Sequence, residues 1–234
     1  MQTTSNLYQT IVSEDGHWFE TRLVIDGVGT YGENNLFSIV TRHEMFHGSP
    51  TIGSAVAGEI TVKMVYPQNV TIPTMAKLMP QVRVCNATDQ SEWIAQGVYF
   101  IDTRERTVTD YGESVLEIHG YDAMLKAEQY FQSSIITGSS VDIAMVAEIA
   151  RIMGVSVDAR TYTVMNRAYT IPLPTGYTLR EVLGYIASMY VGSFIMTDEG
   201  KLRLVSILEL PPETNYLVDE QGDAITFGGD RILV

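Results

Sequence analysis

Residues 59–66 alternate with a strict period of two. Ile60, Val62, Met64 and Tyr66 fall on one side, Glu59, Thr61 and Lys63 on the other. Successive side chains of a strand point to opposite faces, so this run belongs in a sheet with one face covered. Phe19, Leu23 and Ile25 alternate with Glu20 and Arg22 in the same way. Val115, Glu117, His119 and Tyr121 oppose Leu116 and Ile118. Residues 81–87, 92–102 and 104–109 are further strand candidates. Turn-forming groups separate them: Asp26-Gly27, Pro67-Gln68-Asn69, Asp89-Gln90-Ser91 and Tyr111-Gly112. Many short strands between regular turns predict a barrel or sandwich.

The period changes in the second half. Ile143, Val146, Ala147, Ala150 and Met153 recur at helical spacing, with Ser139 and Asp142 at the start and Gly154 as the stop. Thr178-Leu179-Arg180-Glu181 is a better capping box and opens a second helix whose apolar face is Leu179, Val182, Leu183, Ile186 and Tyr190. Gly184 inside that helix costs about 1 kcal/mol relative to alanine, which implies close packing there. Residues 193–196 and 202–208 read as a hairpin around Thr197-Asp198-Glu199-Gly200. The expected organisation is a β-rich, α+β chain: a barrel over 1–131, a small α/β domain of two helices and a hairpin over 132–210, and a β-type segment over 211–234. Pro211-Pro212 marks the second junction, and the closing Ile232-Leu233-Val234 suggests the start of a second barrel.

Charge narrows the function. The chain has 234 residues, with 15 Lys and Arg against 28 Asp and Glu, a formal net charge of −13. A basic face that could grip nucleic-acid phosphates is hard to build from so few cations, and adhesion to an anionic membrane is disfavoured for the same reason. The one cysteine, Cys85, excludes an intrachain disulfide and a cysteine-rich zinc site. The first residues lack the basic and apolar regions of a signal peptide. The longest uncharged, mostly apolar stretch, 182–197, is short for a membrane span. The expectation is a soluble protein made in a reducing cytoplasm, with no membrane insertion.

Two motifs suggest chemistry. His43-Glu44-Met45-Phe46-His47 matches H-E-x-x-H literally. A zinc peptidase needs both histidines on one face of a continuing helix, with the glutamate as general base. Leu36, Ile39, Val40 and His43 can be read at helical spacing, but Gly48-Ser49-Pro50 ends any helix there. Gly27-Val28-Gly29-Thr30-Tyr31-Gly32 matches G-x-G-x-x-G, yet Glu33 follows where a helix should receive a pyrophosphate. The plain readings are a polar strand end and a glycine-rich connection. Asp102-Thr103-Arg104-Glu105-Arg106 reads as a solvated charged segment. No nucleophile, base and oxyanion donors assemble, so no catalytic residue, no cofactor site and no metal site are assigned, and the chain is not expected to be an enzyme.

A family resemblance enters at Pro50-Thr51-Ile52-Gly53-Ser54-Ala55-Val56-Ala57-Gly58-Glu59-Ile60. It continues through 91–102, is clearest at Leu116-Glu117-Ile118-His119-Gly120-Tyr121-Asp122-Ala123-Met124-Leu125-Lys126, and resumes at 176–187, 198–204 and 224–231. These blocks resemble the hub proteins of phage and prophage tails: baseplate hubs and the N-terminal hub part of tail-associated proteins. The resemblance implies a tail-tube-like β-barrel, an inserted α/β domain and a following second barrel. It also implies a homotrimeric virion ring at the tail tip, assembled in the bacterial host cytoplasm and linking the tail tube to a central spike. Tail tube and distal tail proteins, the tape measure, and a spike or receptor-binding protein would be its partners. DNA would pass through without specific binding, and an acidic lumen would help it slide. The alternatives are a tail-tip zinc hydrolase or peptidase through His43, Glu44 and His47, and a receptor- or carbohydrate-binding tail module.

Overall fold

The computed structural model describes residues 4–45, 51–68, 70–108, 112, 114–207, 226–227 and 230–231. A short helix, α1 (Asn6–Ser13), opens the chain. Its Ser5 cap accepts the Tyr8 N–H, and it buries Ile11. The main sheet is built from β1 (Trp18–Ile25), β2 (Gly29–Gly32), β3 (Leu36–Arg42), β5 (Glu59–Val65), β6 (Lys77–Cys85), β8 (Tyr99–Val108) and β9 (Ser114–Asp122). They lie in the order β2-β1-β6-β8-β9-β5-β3, and the two-residue β7 (Ile94–Ala95) pairs with β6. The short β4 (Ser54–Ala55) belongs to another sheet.

Every step along this path is antiparallel. Six such steps leave the two end strands, β2 and β3, running in the same direction. Laid flat, those ends would stand about 29 Å apart at ordinary interstrand spacing. Only residues 33–35 join them, a link that spans at most about 14 Å. The sheet is therefore rolled. The handover is visible in hydrogen bonds: Asn35 N–H donates to Gly32 O (2.9 Å), and Val65 N–H donates to Asn35 O (2.8 Å). One run of chain thus pairs first with β1 and then with β5. Among the described residues no ladder joins β2 to β3, so what is observed is a rolled antiparallel sheet and not a closed barrel.

Strands from all round this roll share one core, including Leu23, Ile25, Ile60, Val62, Met64, Leu78, Tyr99, Leu116 and Ile118, with Tyr31 and Leu36 packed against it. Phe19 lies on the same face as Leu23 and Ile25 but is 48% exposed. β2 covers only Arg22–Ile25, so the core ends before Phe19 is reached. The helical spacing across 36–43 is also set aside, because Leu36–Arg42 is a strand in register with β5.

The second core surrounds three helices. These are α2 (Asp142–Met153), α3 (Ala159–Val164) and α4 (Leu179–Met189), against a sheet of β13 (Leu202–Ser206), β12 (Gly192–Met196) and β4. The expected unit had two helices. The third, α3, is one short stretch capped by Asp158, with too few turns to leave a period in the sequence. The Thr178–Glu181 capping box is present. Gly154 ends α2 in the left-handed region at φ 73°. Ser139 does not cap α2; Val141 occupies that position, and Asp142 Oδ1 accepts its neighbour's N–H instead. A two-residue pairing links β10 (Ser140–Val141) to β11 (Thr170–Ile171). β14 (Thr226–Phe227) pairs with β15 (Asp230–Arg231), while the rest of the β-type segment expected over 211–234, the closing Ile232-Leu233-Val234 included, lies outside the described residues.

Val191, between α4 and β12, has φ 51°. A β-branched residue in the left-handed region carries backbone strain. Val191→Gly is expected to stabilise the chain by about 1 kcal/mol, read as a rise of about 2–4 °C in Tm.

Candidate functional surfaces

Two places in the fold combine exposure or chemistry with precise positioning. The first is the outer half of β8. β6 follows β8 only at Lys77↔Phe100 and Leu78↔Tyr99, and Ile101 N–H then donates to Ala76 O (3.1 Å). Beyond that point residues 103–108 pair with β9, after a register shift at Asp102, and residues 102–108 are all exposed. Among the described residues no strand pairs with their other edge. Arg104 and Arg106 stand opposite the buried Ile118 and Leu116, at core-facing positions where β6 has departed. Arg104 donates to Ile72 O (2.5 Å), and the Arg106 guanidinium lies 4.3 Å from the Tyr66 ring centroid. Their alkyl stems cover the open end of the core while their charges stay wet. The segment 102–106 is thus solvated, as its composition suggests, and is also a strand.

The edges of the smaller sheet are covered. Leu202 exchanges hydrogen bonds with the 156–158 segment, Leu204 N–H donates to Thr161 Oγ1 (3.1 Å), and Arg180 donates to Ala55 O on β4 (2.5 Å). The solvent face of β3, β5, β9 and β8 carries paired charges. Arg42 lies 3.9 Å from Glu59, Lys63 3.2 Å from Glu117, and His119 3.4 Å from Glu117. The excess negative charge is not concentrated on this face.

The second place is the junction between the two cores. Arg180, from α4, reaches Ala55 O, Met124 O (3.1 Å) and the Glu128 carboxylate (2.6 Å), tying three segments together. Nearby, Asp122 closes β9 and is 2% exposed. Its Oδ2 accepts Gly58 N–H (2.6 Å) and its Oδ1 accepts Met124 N–H (2.8 Å). Burial pushes its carboxyl up to about 6; those two hydrogen bonds and the nearby positive charge oppose the shift only in part. Tyr99 is fully buried, its hydroxyl 2.6 Å from His43 Nε2 and donating to Gln96 O (3.1 Å). Burial, then the charges of Asp122 and Asp198, raise the phenol well above its ordinary value. Asp198, on the turn between β12 and β13, lies 3.9 Å from His43 Nε2. A side chain at Gly58 would come within 2.9 Å of Asp122 Oδ2 and 3.1 Å of His43 Nδ1. Glycine there leaves carboxylate and imidazole facing one another.

Of the sequence motifs, His43 alone is drawn into this cluster. Residues 43–45 follow a strand and are not helical; Glu44 lines the adjoining cavity, and His47 lies outside the described residues. Among the described residues no three His, Cys, Asp or Glu side chains come together as a metal-ligating group. Gly27 sits in the β1–β2 turn at φ 70°, and Gly29–Gly32 is strand β2, followed by a turn and another strand. No helix N-terminus is therefore presented to a phosphate. Cys85 is buried and free at the end of β6. Tyr99, Asp122 and Asp198 were not singled out by spacing. The only sequence signal was Asp122 itself, an acid ending an alternating run where the strand should turn.

No protein-family model matches the sequence, and no curated protein matches it. Solved structures do. The 43 kDa tail protein of prophage MuSo2 from Shewanella oneidensis is similar at a TM-score of 0.51 and 14% identity, over 80% of this chain and 54% of that one. The tail protein from Neisseria meningitidis MC58 is similar at a TM-score of 0.51 and 10% identity, over 88% of this chain and 53% of that one. The fold is thus one found in phage tail proteins, and the chain spans about half the length of each of these two. Among the described residues no helix is long and apolar enough to cross a membrane.

Proposed function

We propose that this chain is a structural component of a phage or prophage tail, a hub subunit at the tail tip or baseplate that acts by assembly and not by catalysis. The fold likeness to two tail proteins over most of the chain carries this reading. The rolled sheet serves as the hub barrel, and three copies form a ring that links tail tube to spike and lets DNA pass. The one-sided ladder of residues 103–108 supplies a joining edge. Unpaired strand edges invite pairing with another chain, and head-to-tail contacts between copies close into rings when the rotation permits.

Proline tests the edge. In an antiparallel strand the N–H groups of adjacent residues point to opposite sides. Of Glu105→Pro and Arg106→Pro, one removes a bond to β9 and the other removes an outward donor. The expected result is a trimer by native mass spectrometry at high concentration. The outward-acting variant should be monomeric with little change in Tm, and the other should lose stability as well. A chain that stays monomeric even with tail partners added would overturn the proposal.

A further inference from the structure

We propose that the α/β unit carries a groove for a neutral oligosaccharide, between residues 130–137 and 173–176. Its volume is about 840 Å³, in the range of small-molecule sites. Two stretches of chain frame it and are tied together at both ends. At one end Tyr130 pairs antiparallel with Thr178, Phe131 N–H donates to Tyr177 O (2.8 Å) and Leu179 N–H donates to Gln129 O (2.9 Å). At the other end β10 pairs with β11 through Ser140↔Ile171 and Val141↔Thr170. Among the described residues no hydrogen bond joins the two sides between these ties.

The frame is rigidly seated. Phe131, Ile136 and Ile171 root both sides in the second core. Ser133 fixes one side further: its hydroxyl donates to the buried Glu148 of α2 and accepts the N–H groups of Ile135 (3.0 Å) and Ile136 (2.8 Å). The gap is thus built into the backbone, and a ligand meets a site that is already open. All of its described lining belongs to this unit and none to the rolled sheet, so the groove is separate from the joining edge at 103–108.

The lining selects the ligand. Among the described residues it holds no Asp, Glu, Lys, Arg or His, in a chain with 15 basic and 28 acidic residues. The Glu148 carboxylate behind Ser133 is taken up by Arg151. An ion of either sign would leave water here without finding a partner charge. A wholly apolar ligand fits no better. Gln132, Ser134, Thr137 and Thr175 are exposed in the groove, and their side chains make no hydrogen bond within the protein. Beside them stand two apolar surfaces, Tyr130 (64% exposed) and Leu173 (40% exposed). A sugar ring has the same two-sided character, with C–H groups over its faces and hydroxyls around its rim. Its face covers Tyr130 and Leu173, while its rim exchanges hydrogen bonds with four side chains that both donate and accept.

An array of immobilised neutral and acidic oligosaccharides, probed with the whole chain, tests the proposal. Retention on neutral members and none on sulfated or sialylated ones is expected. Titration of the strongest neutral binder by NMR then gives the affinity. Tyr130→Ala is expected to weaken it about tenfold, and Thr137→Val or Thr175→Val about fivefold each. Tyr130→Phe keeps the ring and should keep most of the affinity. These three side chains are exposed, so Tm should stay within about 2 °C of the parent's in every variant. Decaproline serves as the control, since aromatic-lined grooves also take extended proline-rich chains. No retention on any neutral oligosaccharide, equal retention on acidic ones, an affinity unmoved by Tyr130→Ala, or decaproline bound at the groove in place of the sugars would overturn the proposal.

Discussion

Asp122→Ala is expected to lower the unfolding free energy by about 4 kcal/mol at pH 4, because it orphans two buried backbone donors at once. Gly58 N–H and Met124 N–H both end on this carboxyl group. The first begins the approach to β5, and the second opens the 3-10 helix at Ala123–Glu128. The residue is 2% exposed, so both donors lose their partner away from bulk solvent.

The cost should depend on pH in a defined direction. In the folded chain the Asp122 carboxyl is pushed up to about 6 from 3.8, chiefly by burial. A group with a raised folded pKa contributes most stability below its unfolded pKa and loses that contribution as pH rises through the folded one. Between pH 4 and 7 the unaltered chain therefore loses about 2 kcal/mol through this group, and the alanine variant does not. The gap between the two should narrow across that window. Urea unfolding at pH 4, 5.5 and 7 measures it. A gap that widens with pH would mean that hydrogen bonding, not burial, dominates the site.

The second large effect concerns two glycines. Gly184→Ala is expected to destabilise the chain by about 2 kcal/mol, although alanine is the better helix former by about 1 kcal/mol. A Cβ at Gly184 would lie 2.7 Å from Gly53 O, a backbone atom that cannot swing aside. A Cβ at Gly53 would lie 1.8 Å from Ser188 Oγ and 2.9 Å from Gly184 O, and Gly53 also has φ 84°. Gly53→Ala should therefore cost more than Gly184→Ala. The segment held by this contact is β4, which pairs in parallel with β12 through Ser54↔Ser193 and Phe194↔Ala55. Either substitution should loosen β4 from that sheet, raising hydrogen exchange at 53–56. A Gly184→Ala variant more stable than the parent would show that the glycine serves only the helix.

The Gly184 contact was legible in part. A glycine in the interior of a strongly periodic helix requires a reason, and close packing was the reason inferred. Its partner was not legible, because Gly53 lies 131 positions earlier in a segment with no period of its own. The strand at 102–108 illustrates the opposite case. Its residues Asp102, Arg104, Glu105 and Arg106 look like a solvated run because they are one, yet from 103 onward the strand forms a ladder with β9. Ladder bonds use the backbone, and a strand with no core beneath it leaves no apolar alternation to read. Residues 43–45 of the H-E-x-x-H match are not helical. The helical spacing across Leu36, Ile39, Val40 and His43 depended on four residues, and register with β5 overrides it.

The sequence by itself determined the local elements wherever one face is buried, because burial forces a period of two or of 3.6 on the side chains. It also determined the capping box at Thr178, a contact confined to four adjacent residues. Only the tertiary structure decided how the sheet curls, since that follows from residues 33–35 switching the chain's pairing from β1 to β5. It alone decided that His43, Tyr99, Asp122 and Asp198 meet. Those positions are scattered over 156 residues, and the force that joins them is the packing of two cores, which no local pattern records.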